Sequence, residues 1–109
     1  MIHLDETQLT LVKSILNAYI PDRRVAAFGS RVQGTPRQFS DLDLIVLDNE
    51  SVAPDVLSDL RYALAESDLS IRVDVVEWAA LSPSFRRAIE RTPVAIVQEP
   101  AAPAPLPVK

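Results

Sequence analysis

The run DLDLIVL at residues 41–47 constrains the fold most, because it alternates at its start and is rich in branched apolar residues. Such a pattern is typical of a β-strand, yet a strand built only for stability would carry Val or Ile at Asp41 and Asp43. Residues two apart on a strand point to the same face, about 6.5 Å apart at their Cα atoms. The run therefore predicts two carboxylates side by side on an otherwise apolar strand.

Two carboxylates this close repel each other unless water, a proton or a cation neutralises them. The chain has no cysteine and one histidine, His3, so a metal bound here must be held by oxygen atoms, which suit Mg²⁺ or Mn²⁺. A third carboxylate, Asp74, interrupts the run IRVDVVEW. If the strand of Asp74 pairs beside the strand of Asp41 and Asp43, the three carboxylates form a cluster. The alternatives are an edge strand that carries charges against aggregation, or a helix cap at Ser40 and Asp41.

A glycine–serine pair precedes this strand and suggests an anion site. Gly29 and Ser30 follow the apolar run RVAAF, and a strand that ends in glycine and leads into a helical turn directs backbone N–H groups at whatever lies above it. In the next loop, Arg31 and Arg37 are either phosphate or acceptor contacts or solvated charges. Carboxylates that bind metal, facing amides that bind phosphate, suit a nucleoside triphosphate and the transfer of part of it.

The rest of the chain alternates between helical and strand-like patterns. A capping box of Asp5 and Gln8 begins the first helix, and Pro54 and Pro83 suit the first turns of two others. We predict a mixed α+β domain with a small sheet of about four strands flanked by helices, in the order α-β-β-α-β-α-β. The helices run from Asp5 to about residue 19, from 54 to about 67 and from 83 to about 91, and the strands cover 24–28, 42–47, 71–77 and 94–97.

Composition limits the function classes. At 109 residues the chain is one small domain, which we place at residues 1–98. A flexible tail follows at 99–109, since four of the nine prolines lie between residues 100 and 107. The net charge of -4 argues against broad nucleic-acid binding through a basic field. No apolar run approaches the ~20 residues of a membrane span, so we expect a cytoplasmic protein without a membrane partner.

Gly29–Ser30, ten intervening residues and Asp41–Leu42–Asp43 resemble the signature of the polymerase-beta-type nucleotidyltransferase superfamily. The run GSRVQGTPRQFSDLDLIV is most similar to the minimal nucleotidyltransferases of that superfamily, and the resemblance covers residues 5 to about 98. It implies the polymerase-beta-like nucleotidyltransferase fold. It also implies metal binding and catalysis by three aspartates and triphosphate binding by the turn, which are Asp41, Asp43, Asp74, Gly29 and Ser30.

The same resemblance implies a reaction and a partner. An acceptor hydroxyl would attack the α-phosphorus of ATP in a Mg²⁺-dependent step, with transfer of AMP and release of pyrophosphate, and Asp74 would bind one ion or accept the proton. Many minimal nucleotidyltransferases are antitoxins that adenylylate a tyrosine of a HEPN ribonuclease toxin, so a cognate HEPN toxin is the expected partner. Two alternatives stay open: an inactive antitoxin that neutralises its partner by binding alone, and transfer to a small molecule.

Side chains outside the motif are expected to be structural. We interpret Trp78 and Phe85 as core or rim residues rather than as a platform for a nucleobase. The three arginines of the last helix are interpreted as a solvated face; they are Arg86, Arg87 and Arg91.

Overall fold

The computed structural model describes residues 2–33 and 41–101. Four helices, one 3-10 turn and four strands make up this part of the chain. In sequence order they are α1 (Glu6–Tyr19), β1 (Val25–Phe28), α2 (Ser30–Gln33), β2 (Leu42–Val46), α3 (Pro54–Ala65), β3 (Val73–Glu77), the 3-10 turn (Trp78–Ala80), α4 (Pro83–Glu90) and β4 (Ala95–Gln98).

The strands form a mixed sheet in the order β3-β2-β1-β4. β1 is antiparallel to both of its neighbours, while β2 and β3 are parallel. A parallel pair needs a crossover connection, and α3 is the helix of that crossover. The predicted mixed α+β fold with four strands is therefore confirmed.

The sheet is covered on both faces by apolar side chains. Leu42, Leu44 and Val46 of β2 share one hydrophobic cluster with residues of α1 and α3. On the opposite face, Ile45 packs with Ala26 of β1 and Ile89 of α4. Four of the five residues of β2 are buried, and Asp43 is half-buried.

The predicted capping box of α1 is half right. The Asp5 carboxylate accepts a hydrogen bond from the Thr7 N–H at 2.7 Å, as expected of an N-cap. Gln8 does not complete the box, because its side-chain amide donates instead to the Ser70 hydroxyl at 2.8 Å. This long-range contact ties α1 to the segment that leads into β3, so tertiary packing overrides the local cap.

The predicted order of elements omits two short ones, namely α2, which is expected only as a helical turn after Gly29, and the 3-10 turn. Each is a single turn, too short to show a periodic apolar face. Several predicted boundaries also differ by one or two residues: β3 begins at residue 73 rather than 71, and β4 spans 95–98 rather than 94–97. The early part of the predicted third strand is a turn in which Ile71 packs against the core, so its apolar character reflects burial rather than pairing.

Contacts continue beyond β4. The Arg24 guanidinium pairs with the Glu99 carboxylate at 2.7 Å, and the Ala101 N–H donates to the Pro21 carbonyl at 2.8 Å. The rest of the predicted tail, residues 102–109, lies outside the described residues. Among the helices of residues 2–33 and 41–101, none is long and apolar enough to cross a membrane.

Candidate active site

Three side chains form a row across one end of the sheet. In the strand register, Asp43 of β2 lies directly opposite Phe28 of β1 on one side and Asp74 of β3 on the other. Residues that are directly opposite in neighbouring strands point to the same face. β3 therefore pairs beside β2 in the way that a cluster of carboxylates requires, and it brings Asp74 next to Asp43.

The surroundings of Asp43 disfavour the ionised form of its carboxyl group. Burial raises the pKa of Asp43, and repulsion from the carboxylates of Asp74 and Asp41 raises this pKa further, in that order of importance. Asp41 lies immediately before β2 and is near enough to contribute to the repulsion. A carboxyl group in this position is stabilised by taking up a proton or, when ionised, by a nearby positive charge.

Asp74 already has a cationic neighbour. The Arg72 Nε donates to the Asp74 Oδ1 at 3.2 Å, and the Arg72 side chain is 75% exposed. In residues 2–33 and 41–101 no three acidic or histidine side chains converge closely enough to form a ready-made metal site. The structure thus places the three predicted aspartates at one end of the sheet without drawing all their oxygen atoms to one point.

Gly29 connects the two halves of the predicted motif. It has a φ of +81°, in the left-handed region that non-glycine residues rarely adopt. A Cβ atom added at Gly29 would lie 2.6 Å from the Asp43 Oδ2, far inside van der Waals contact. Glycine is therefore required both by the backbone conformation and by the approach of the Asp43 carboxylate to this turn.

The turn continues directly into α2, which begins at Ser30. The Gly29 carbonyl accepts hydrogen bonds from the N–H groups of Val32 and Gln33, both at 3.0 Å. The first N–H groups of a helical turn have no acceptor within the helix, and the Ser30 N–H is the first of them in α2. The predicted Gly-Ser turn and the aspartates are therefore adjacent in space.

Arg31, the other predicted phosphate contact, is buried, with 8% of its surface exposed. Its Nη1 donates to the His3 carbonyl at 2.8 Å, and its own carbonyl accepts from the His3 N–H at 2.6 Å. Arg31 thus fastens the N-terminal segment to α2. A phosphate contact by Arg31 stays a prediction, and Arg37 lies outside the described residues.

A cavity of about 560 Å³ opens over the row of side chains. A volume of this size is typical of small-molecule sites. Beyond the expected aspartates, the cavity contains two side chains from helices, Arg61 of α3 and Phe85 of α4. Its lining includes Phe28, Asp43, Arg61, Val73, Asp74 and Phe85.

Arg61 was not predicted as a site residue. Its Nη2 donates to the Val75 carbonyl at 2.8 Å, which holds the guanidinium at the outer edge of β3. The sequence offers only a basic residue on the polar side of a predicted helix, and solvated helices commonly carry such residues. Phe85 is 46% exposed, which agrees with the predicted rim position.

Comparison with known proteins places this site in a family. The model of the polymerase beta nucleotidyltransferase family matches residues 10–101. The chain therefore belongs to the polymerase beta nucleotidyltransferase family, and the minimal nucleotidyltransferase resemblance is confirmed, since the chain is similar to a Haemophilus influenzae protein called probable protein adenylyltransferase MntA. The two are 42% identical over 92 residues, which cover 84% of this chain and 80% of the relative.

Two solved structures have the same fold. A chain of a toxin–antitoxin crystal structure with AMP-PNP superposes with a TM-score of 0.67 at 26% identity, over 88% of this chain and 74% of that one. The MNT antitoxin complex with a tri-AMPylated HEPN toxin from Shewanella oneidensis gives a TM-score of 0.63 at 20% identity, over 88% and 73% of the two chains. The chain is thus a nucleotidyltransferase with the predicted polymerase-beta-like fold.

Proposed function

We propose that this chain is a Mg²⁺-dependent protein adenylyltransferase. It transfers AMP from ATP to a tyrosine hydroxyl of a cognate HEPN toxin and so acts as an antitoxin. The observation that carries the proposal is the row in which Asp74 lies opposite Asp43, with the backbone of Gly29 against the Asp43 carboxylate. This arrangement supports the proposal because the Asp43 carboxylate approaches the turn that we expect to bind phosphate.

The donor set fits a hard divalent cation. Asp41, Asp43 and Asp74 offer only carboxylate oxygens, the ligands that Mg²⁺ prefers, and burial together with repulsion from the other two carboxylates raises the Asp43 pKa. Mg²⁺ held by these three residues would supply positive charge next to the phosphate oxygens and make the acceptor hydroxyl easier to deprotonate. Arg72 contacts the Asp74 Oδ1 at 3.2 Å, so a cation would either bind the other oxygen of this carboxylate or displace Arg72.

The chain's own groups have distinct roles in the transfer. The backbone N–H groups at Gly29 and Ser30 would hold the triphosphate. The acceptor oxygen forms a bond to the α-phosphorus, the bond between that phosphorus and the bridging oxygen breaks, and pyrophosphate leaves. Asp74, on the far side of Asp43 from Gly29, would either bind the cation on that side or accept the proton of the attacking hydroxyl.

The names of similar proteins support a protein acceptor. A relative 42% identical to this chain is called a probable protein adenylyltransferase, and a neighbour at 26% identity is part of a toxin–antitoxin complex. Both names support a protein partner as the acceptor.

The test uses the cognate HEPN partner, which we expect the neighbouring gene to encode. The partner is incubated with the chain, ATP and Mg²⁺, and its mass is measured. We expect the partner's mass to increase by that of one or more AMP groups, and fragmentation to locate the modification at a tyrosine. Asp41→Asn should abolish the increase. Arg87→Gln, which changes an exposed arginine of α4 outside the cavity, is the matched control. A partner that stays unmodified with the wild-type chain would refute the proposal.

A further inference from the structure

The surroundings of Asp43 differ chemically on its two sides. On the β1 side of Asp43 lies the Gly29–Ser30 turn, whose backbone approaches the Asp43 carboxylate directly. On the β3 side lie Asp74 and then Arg61 at the outer edge of the sheet. The order across the sheet therefore runs from the turn through the two carboxylates to the arginine.

This order separates the leaving group from the acceptor. In phosphoryl and nucleotidyl transfer, the attacking and leaving oxygens lie roughly in line through the phosphorus. If the triphosphate lies on the Gly29–Ser30 turn, pyrophosphate leaves on that side. The acceptor must then approach from the opposite side, which is the part of the cavity lined by Asp74, Arg61 and Phe85.

Arg61 brings a positive charge to this acceptor side. Its guanidinium donates to the backbone carbonyl of Val75, and within residues 2–33 and 41–101 no carboxylate pairs with it. A guanidinium has five N–H donors and stays protonated, so donors remain for a ligand after one is used for Val75. Carboxylate and phosphate are the groups that this donor geometry fits best.

We propose that Arg61 binds an oxyanion carried by the acceptor, next to the hydroxyl that attacks ATP. The inference rests on the proposed function and adds the chemical class of the acceptor. The oxyanion has two possible sources: the carboxylate of an acidic side chain beside the tyrosine, or the phosphodiester of an AMP that is already attached. In the second case a ribose hydroxyl of that AMP attacks the next ATP, a new phosphodiester forms, and pyrophosphate leaves as before.

The test compares Arg61→Gln, Arg61→Lys and the control Arg87→Gln, each checked for folding by its melting temperature. Steady-state KM values for the partner and for ATP are measured, together with the mass distribution of partner molecules bearing one, two or more AMP groups. We expect Arg61→Gln to raise the KM of the acceptor roughly tenfold, the loss typical of a hydrogen bond to a charged group. Arg61→Lys should restore most of that loss, because it keeps the charge.

The AMP addition that Arg61→Gln weakens identifies the source of the oxyanion. A weakened first addition indicates a carboxylate beside the tyrosine, whereas a normal first addition with reduced later ones indicates the attached phosphodiester. A higher KM for ATP with an unchanged KM for the acceptor would overturn the inference, as would a wild-type profile for Arg61→Gln.

A chain that transfers no AMP contradicts the proposed function instead. In that event no AMP is attached to the partner and an acidic side chain is the remaining source of the oxyanion, so calorimetry of partner binding without ATP still decides the role of Arg61. Weaker binding by Arg61→Gln than by wild type supports the inference, and equal binding overturns it.

Discussion

Replacing Gly29 by alanine tests the contact between the Gly-Ser turn and the aspartates. The residue has a φ of +81°, and adopting this left-handed conformation costs a residue with a Cβ atom roughly 1–2 kcal/mol. The new Cβ would also lie 2.6 Å from the Asp43 Oδ2. The carboxylate must move away to relieve this overlap, which adds about 1 kcal/mol, at the low end for overpacked sites.

Together these terms predict that Gly29→Ala destabilises the fold by about 2–3 kcal/mol. In a domain of this size, that loss lowers the melting temperature on the order of 10 °C. The displaced Asp43 carboxylate should also slow AMP transfer on the order of a hundredfold, as expected when a reacting group shifts by about 1 Å.

The assay is a double-mutant cycle measured by denaturant unfolding in EDTA, with Gly29→Ala, Asp43→Ala and both changes together. In the Asp43→Ala background the carboxylate is absent, and the Asp43 Cβ lies at an ordinary 3.7 Å from the added atom. Alanine at position 29 should then cost only the backbone term, so the cycle should show a coupling of about 1 kcal/mol. Equal costs in both backgrounds, or a wild-type melting temperature for Gly29→Ala, would refute the contact.

Three other predictions follow from the site. Because the raised pKa of Asp43 means that the folded state binds this proton more tightly than the unfolded state, stability falls as pH rises through the folded pKa. In EDTA, Asp43→Asn should therefore be more stable than wild type at neutral pH, and this advantage should vanish below the ordinary carboxyl range; an advantage independent of pH would contradict the prediction. Mg²⁺ should raise the melting temperature of the wild-type chain but not of Asp43→Asn, and calorimetry that shows equal Mg²⁺ binding to both would exclude Asp43 as a ligand. Arg31→Ala should lower stability by roughly 2 kcal/mol, and its effect should be less than additive with that of deleting residues 1–4, because both changes break the contact with His3; full additivity in denaturant unfolding would show that the contact is unimportant.

The sequence predicts the parts of this fold that depend on regular patterns. Alternating and branched residues locate all four strands, and the helical spacing of Val12 and Leu16, both fully buried, locates α1. The motif spacing brings Gly29 near Asp43 without any structural information. These features are predictable because each depends on local chemistry repeated along the chain.

The remaining site features depend on tertiary contacts that leave little trace in the sequence. Arg61 reaches the cavity only because α3 packs beside β3 and the Val75 carbonyl holds its guanidinium. The structural contact of Arg31 depends on the N-terminal segment crossing α2, which no pattern indicates. The partner that each arginine finds is therefore decided by the packing of elements distant in sequence.

The most direct test of an enzymatic antitoxin is whether the chain neutralises its partner at a concentration far below that of the partner. The partner's ribonuclease activity is measured after incubation with ATP, Mg²⁺ and the chain at far below equimolar concentration. Catalysis predicts that each chain silences many partner molecules, that silencing requires ATP, and that Asp43→Asn loses it. Neutralisation that requires equimolar chain, proceeds without ATP and survives Asp43→Asn would show that the protein acts by binding alone.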